Sequence, residues 1–207
     1  MKLLKSLYAL IKIGIALTAL IGLGMELSLT LGRHDSIINF FSYFTTIGNI
    51  FVPVVLAISG FYLLAGKPSS RILDFLRGMA LVTIILIGVV YAVLLAGNQA
   101  SEIPWVNIFH HYIMPIALVI DWLIQPPASK LSIKSSLLWL TLPVVYLAYA
   151  LIRGAVTDFY PYEFLNPVEM NGYTGVFLYC GVMIVAYVIL GALAVIIGNL
   201  LRRKQAQ

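Results

Sequence analysis

Long apolar runs separated by short polar clusters set the pattern of this chain. Six runs stand out, at about 7–31, 38–65, 72–96, 104–124, 137–152 and 173–201. Within each the apolar residues are continuous rather than alternating, which predicts helices and argues against the strands of a membrane barrel. Most reach the ~20 residues a helix needs to cross the hydrocarbon of a bilayer. The connections carry turn-forming residues: Gly32 to Ser36, Gly66 to Ser70, Gly97 to Glu102 and Gln125 to Ser129. The expected fold is therefore all-α, a single polytopic membrane domain of six transmembrane helices over residues 1–207. The first run follows Lys2 and Lys5 but continues to Leu31. That is longer than the ~7–15-residue core of a signal peptide, so it reads as an uncleaved span.

Composition supports this reading. The chain is 61% hydrophobic and only 10% charged, with a mean hydropathy of +1.00. A soluble domain carries roughly 25% charged residues. Disordered, coiled-coil and nucleic-acid-binding classes are excluded despite a pI near 9.3. The lone Cys180 rules out an intrachain disulfide and a cysteine metal site. No HExxH, P-loop or GxGxxG pattern occurs, so no metal and no organic cofactor is implied. The expected partners are membrane lipids and a lipid-like small molecule. The sequence carries no signal of oligomeric state.

Charge orients the spans. Lys2, Lys5, Lys12, Lys67, Arg71, Arg77, Lys130, Lys134, Arg202, Arg203 and Lys204 fall at one end, leaving Arg33 and Arg153 at the other. The positive-inside rule makes the basic end cytoplasmic, with both termini there, in the cell membrane. The longest outer connection, 154–172, contains Tyr160, Pro161, Tyr162, Phe164 and Pro167. It reads either as an interfacial aromatic anchor or as a lid over the outer mouth, packed between the second and fourth spans.

Polar residues inside spans are costly and so carry the most information. The first span has Gly14, Thr18, Gly22 and Glu26 at four-residue spacing on one face. The first three read as a small-residue packing stripe; Glu26 either snorkels or faces the bundle. In the second span Asn39, Ser42, Thr46, Asn49 and Pro53 share a stripe with Thr45 at its edge. In the fourth, Asn107, His110, His111 and Asp121 share a broad face, with Pro115 weakening the helix between them. Asp121, near the inner end, reads as an exposed interfacial acid. Thr45, Thr46, His110 and His111 all lie about two turns below the outer boundary. A hydroxyl and an imidazole at matched depth are the minimum for an activated nucleophile; the alternatives are a small transporter or permease, or a structural membrane protein whose polar stripes are hydrogen-bond glue between helices.

At these residues the chain resembles a known group. Phe40-Phe41-Ser42-Tyr43-Phe44-Thr45-Thr46-Ile47-Gly48-Asn49 is similar to the second-span motif of the bacterial six-span proteins labelled Pr-six-Pr. His111-Tyr112-Ile113-Met114-Pro115, continuing to Asp121-Trp122, resembles their fourth-span motif, and Tyr160 to Leu165 their last outer loop. That group is more distantly similar to the androgen-induced integral-membrane family. The resemblance implies hydrolysis of fatty-acid esters of hydroxy fatty acids by a membrane-embedded threonine and histidine. The motif places the threonine at Thr45, whereas helical periodicity prefers Thr46. The His-Tyr-x-x-Pro motif places the histidine at His111, whereas the spacing of the distant family selects His110. Asn49 or Asn107 would donate to an oxyanion, with Glu26 a further residue at the substrate site.

Overall fold

A computed structural model describes residues 2–95 and 101–205. Six helices are long and apolar enough to cross a membrane: α1 (Lys2–Gly32), α2 (Phe44–Leu64), α3 (Arg71–Leu95), α4 (Pro104–Ile124), α5 (Ile133–Thr157) and α6 (Tyr173–Lys204). No strand occurs among the described residues. The protein is an all-α, multi-pass membrane protein, as the continuous apolar runs predict. The third connection, expected at 97–102, lies mostly outside the described residues, as does Ala96.

The element bounds differ from expectation where local chemistry intervenes. The second run is not one helix. Ser36 caps a one-turn helix, Ile37–Phe41, by accepting the Asn39 N–H on its hydroxyl. The backbone then turns extended at Tyr43 (ψ 135°) before α2 begins. The fifth helix is longer than its apolar stretch at both ends and stops at Asp158, which adopts a left-handed conformation with φ 57°. Asp tolerates that region better than most residues.

The third helix is the centre of the bundle. It packs against α2, α4 and α6 and contributes Leu73, Ala80, Leu81, Val82, Ile84 and Ile87 to the buried core. Glycine permits close approach where α3 meets a large ring: a Cβ on Gly78 would overlap Trp139, which is 1% exposed. Large apolar residues on the outward faces stay exposed, among them Leu17, Phe61, Val93, Val145 and Val185. This inversion suits a chain whose solvent is lipid.

The packing stripe of α1 is not the expected one. Gly14 is exposed, and a Cβ there would meet no neighbouring helix within 4 Å. The buried face is instead Ala9, Lys12, Ala16, Ala19 and Leu23, with Gly22 fitted against Val106 and Trp105. Ala9, Ala16 and Ala19 thus join Gly22 on the packed face, while Gly14 lies off it.

Candidate functional site

One end of the bundle gathers the start of α1, the α2–α3 and α4–α5 connections, and the end of α6. The opposite end carries the 158–172 loop, and a cavity of about 390 Å³ opens there. Thr45, Thr46, His111, Glu26, Tyr91 and Tyr162 all line it. Residues from α1, α2, α3, α4 and the loop therefore converge on one space.

Two irregular helical turns build this cavity. In α4, Phe109–Ile113 is a π turn, with the Met114 N–H bonded five residues back to Phe109 O. Pro115 has no N–H to offer the His111 carbonyl four residues earlier, and its ring crowds that carbonyl. The widened turn is the local solution. In α3, Tyr91–Leu95 is a second π turn. The two meet directly: the Tyr91 and His111 rings stack with centroids 3.9 Å apart and 20° between planes. Gly88 lets α4 approach, since a Cβ there would lie 2.9 Å from the His111 carbonyl oxygen and Pro115 Cγ. Such π turns are rare and concentrate at functional sites.

The π turn separates the adjacent histidines. His110 is buried, and its Nε2–H donates to Ala19 O of α1 at 2.9 Å. It does not line the cavity. His111 does, and its Nδ1–H donates to Asn107 O at 3.0 Å. A carbonyl can only accept, so neutral His111 keeps its lone pair on Nε2. That is the tautomer a general base needs, held here by a backbone oxygen.

Across the cavity, Thr45 pairs with the 158–172 loop. Its backbone N–H donates to the Tyr162 hydroxyl at 3.0 Å, and that hydroxyl lies 3.4 Å from Thr45 Oγ1. Burial pushes the Tyr162 phenol up to about 12, so it remains a donor at neutral pH. Tyr162 also stacks on Phe164 and meets Tyr43 edge to face. The loop is thus ordered and packed against the second span, and it shares the cavity with the fourth. Behind Thr45 and Tyr162 lies a narrow apolar pocket, walled by Leu86, Tyr146, Leu147, Cys180 and Met183.

The remaining candidates fall as follows. Thr46 is buried and lines the cavity, while Asn49, also buried, lines neither space; its Oδ1 has no partner among the described residues. Asn107 sits behind His111 and donates to the Tyr91 hydroxyl at 2.6 Å. Ser42 is fully buried and bonded to Tyr149 at 2.7 Å. No direct hydrogen bond joins a threonine hydroxyl to an imidazole among the described residues. Arg33 and Glu102 pair at the exposed rim. No cluster suited to a metal ion occurs among the described residues.

The sequence reading missed a second polar centre near the opposite end. Asp121 is not an exposed interfacial acid. It is 4% exposed and receives Lys12 Nζ at 2.7 Å, Arg77 at 2.8 Å and the Tyr8 hydroxyl at 2.7 Å. Lys12 also donates to Ser59 and Gln125. Lys12 and Arg77, counted above among the end charges, are therefore interior residues. Their position inside apolar runs was the available signal. Four helices, α1 to α4, are tied at this point.

Comparison with known protein families, with curated proteins and with solved structures finds no match to this chain.

Proposed function

We propose that the protein is an integral-membrane hydrolase of long-chain fatty-acid esters, working in the cavity beside the 158–172 loop. The observation that carries this reading is the convergence of Thr45, Tyr162 and a tautomer-fixed His111 on one cavity, next to an apolar pocket. The resemblance to the Pr-six-Pr and androgen-induced groups supports it.

In this reading Thr45 Oγ1 attacks the ester carbonyl as His111 Nε2 takes the hydroxyl proton, directly or through one water. The tetrahedral intermediate expels the alcohol, which takes that proton from the imidazolium. Water then attacks the acyl-threonine, again with His111 as base, and releases the fatty acid. The Tyr162 hydroxyl, on the Thr45 side of the cavity, supplies the oxyanion donor that Asn49 and Asn107 are poorly placed to give. Thr46 is the fallback nucleophile, since it lines the same cavity. The apolar pocket takes part of the acyl chain. The basic end faces the cytoplasm, so substrate enters from the outer leaflet.

Purified protein assayed on a panel of long-chain esters tests this. Thr45→Ala and His111→Ala should each lower turnover by about 10²-fold or more, and the double variant should be little worse than either single. Thr46→Ala should retain turnover. Wild-type turnover in both Thr45→Ala and His111→Ala, or no activity on any ester, overturns the reading.

A further inference from the structure

The basic end of the bundle holds a cavity of its own, about 810 Å³ and open to the surface. Three cations line it from three elements: Lys5 of α1, Lys67 of the α2–α3 connection and Arg202 of α6. Among the described residues no acidic one shares the lining. Beneath Tyr8 the charges balance, two cations (Lys12 and Arg77) against two carboxylates (Asp121 and Asp74).

The surroundings distinguish the ligand further. Leu4, Leu63 and Ile124 line the same cavity, and Leu4 and Ile124 are 71% and 55% exposed. Next to them on α1, Leu3 and Leu7 are exposed as well. A free phosphate would use the cations and leave these residues idle. A lipid uses both, with its phosphate among the cations and its chains along the leucines. Basic pockets between membrane helices bind anionic headgroups for this reason.

We propose that the cavity framed by Lys5, Lys67 and Arg202 binds the phosphodiester headgroup of an anionic phospholipid. The site is independent of the ester chemistry at the other end.

The test measures binding of dioleoylphosphatidylglycerol to the purified full chain in neutral detergent, read as the rise in unfolding temperature with added lipid. Dioleoylphosphatidylcholine and inorganic phosphate serve as parallel titrants. Phosphatidylglycerol should raise the midpoint saturably, and the other two should not. The triple variant Lys5→Gln/Lys67→Gln/Arg202→Gln should bind it on the order of 100-fold more weakly, from roughly 1 kcal/mol per basic residue. The variant Lys2→Gln/Lys130→Gln/Lys134→Gln removes the same charge from the same end outside the cavity, and should bind like wild type. Equal loss in both variants means a general surface potential and overturns the site. A phosphate response matching that of phosphatidylglycerol overturns the lipid assignment, and no response to phosphatidylglycerol overturns both.

Discussion

Neutralising Asp121 while keeping its shape isolates what the buried network contributes. In Asp121→Asn the group that Lys12 meets at 2.7 Å and Arg77 at 2.8 Å loses its charge. Lys12 and Arg77 are each 2% exposed, so neither can recover water. Asp74, 3.8 Å from Arg77, is left as the only anion against two cations. The amide NH2 also faces a donor where the carboxylate offered a lone pair. Removing one partner of a buried pair costs about 3–5 kcal/mol. For a chain of this size each kcal/mol moves the melting temperature by about 2–4 °C, so the loss is on the order of 10 °C.

The assay is thermal unfolding in a single neutral detergent, followed by tryptophan fluorescence. The informative comparison is Lys12→Met/Asp121→Asn, which removes one charge of each sign and leaves Arg77 facing Asp74. It should recover at least half of the loss, because the penalty in the single variant comes from uncompensated charge rather than from missing contacts. A single variant within about 3 °C of wild type, or a double variant below both of its singles, refutes the reasoning.

Other predictions concern the opposite end. Tyr162→Phe removes the hydroxyl that accepts the Thr45 N–H; it should cost about 1–2 kcal/mol in unfolding measurements and lower ester turnover, whereas unchanged values for both would detach the loop from the site. The Arg33 guanidinium bonded to Glu102 holds that carboxyl below the usual Glu value. Whatever stability the pair adds is therefore present above pH ~4.3 and lost as pH falls through the lowered value. Both side chains are well exposed, at 51% and 54%, so Glu102→Gln should not measurably move the melting temperature at physiological salt, and a shift as large as that of Asp121→Asn would contradict this. Cysteines placed at Asp158 and Lys204 should be labelled differently by an impermeant thiol reagent on intact cells. Asp158 should react and Lys204 should not, and the reverse pattern inverts the proposed orientation.

The apolar runs made the helical class legible, because a continuous run admits few alternatives in hydrocarbon. The stripe in the second run was legible too: Ser42, Thr46, Asn49 and Pro53 are all buried. Helical phase failed where the backbone leaves α geometry. The break at Tyr43 shifts the register of Asn39, whose side chain accepts from Arg153. The π turn sends His110 toward α1 and His111 toward α3, although an ideal helix puts both on one broad face. Pro115 was the visible cue, but a proline predicts a disturbance, not its form. The charge network was hidden for another reason. Lys12 and Arg77 lie 109 and 44 residues from Asp121 in sequence, and a lysine near a span end fits snorkelling equally well. Only the packing of four helices shows that they meet.

The irregular backbone is itself an argument about where function lies. The break before Phe44, the π turn at Tyr91–Leu95, the π turn at Phe109–Ile113 and the ordered loop through Tyr162 all border the same cavity. Regular helices satisfy every backbone group without help, so each departure carries a cost in hydrocarbon. Departures are tolerated there only where they are buried in protein or line a water-filled space. Four of them around one cavity, while α1 to α4 are cross-linked by charge near the other end, indicate a division of labour along the bundle axis. The Lys12–Asp121–Arg77 centre fixes how the helices are spaced. That fixed spacing lets the opposite end give up regular geometry to hold a hydroxyl, a phenol and an imidazole around one space. Loosening the charge centre should therefore degrade the distant cavity as well, even though no residue of the network lines it.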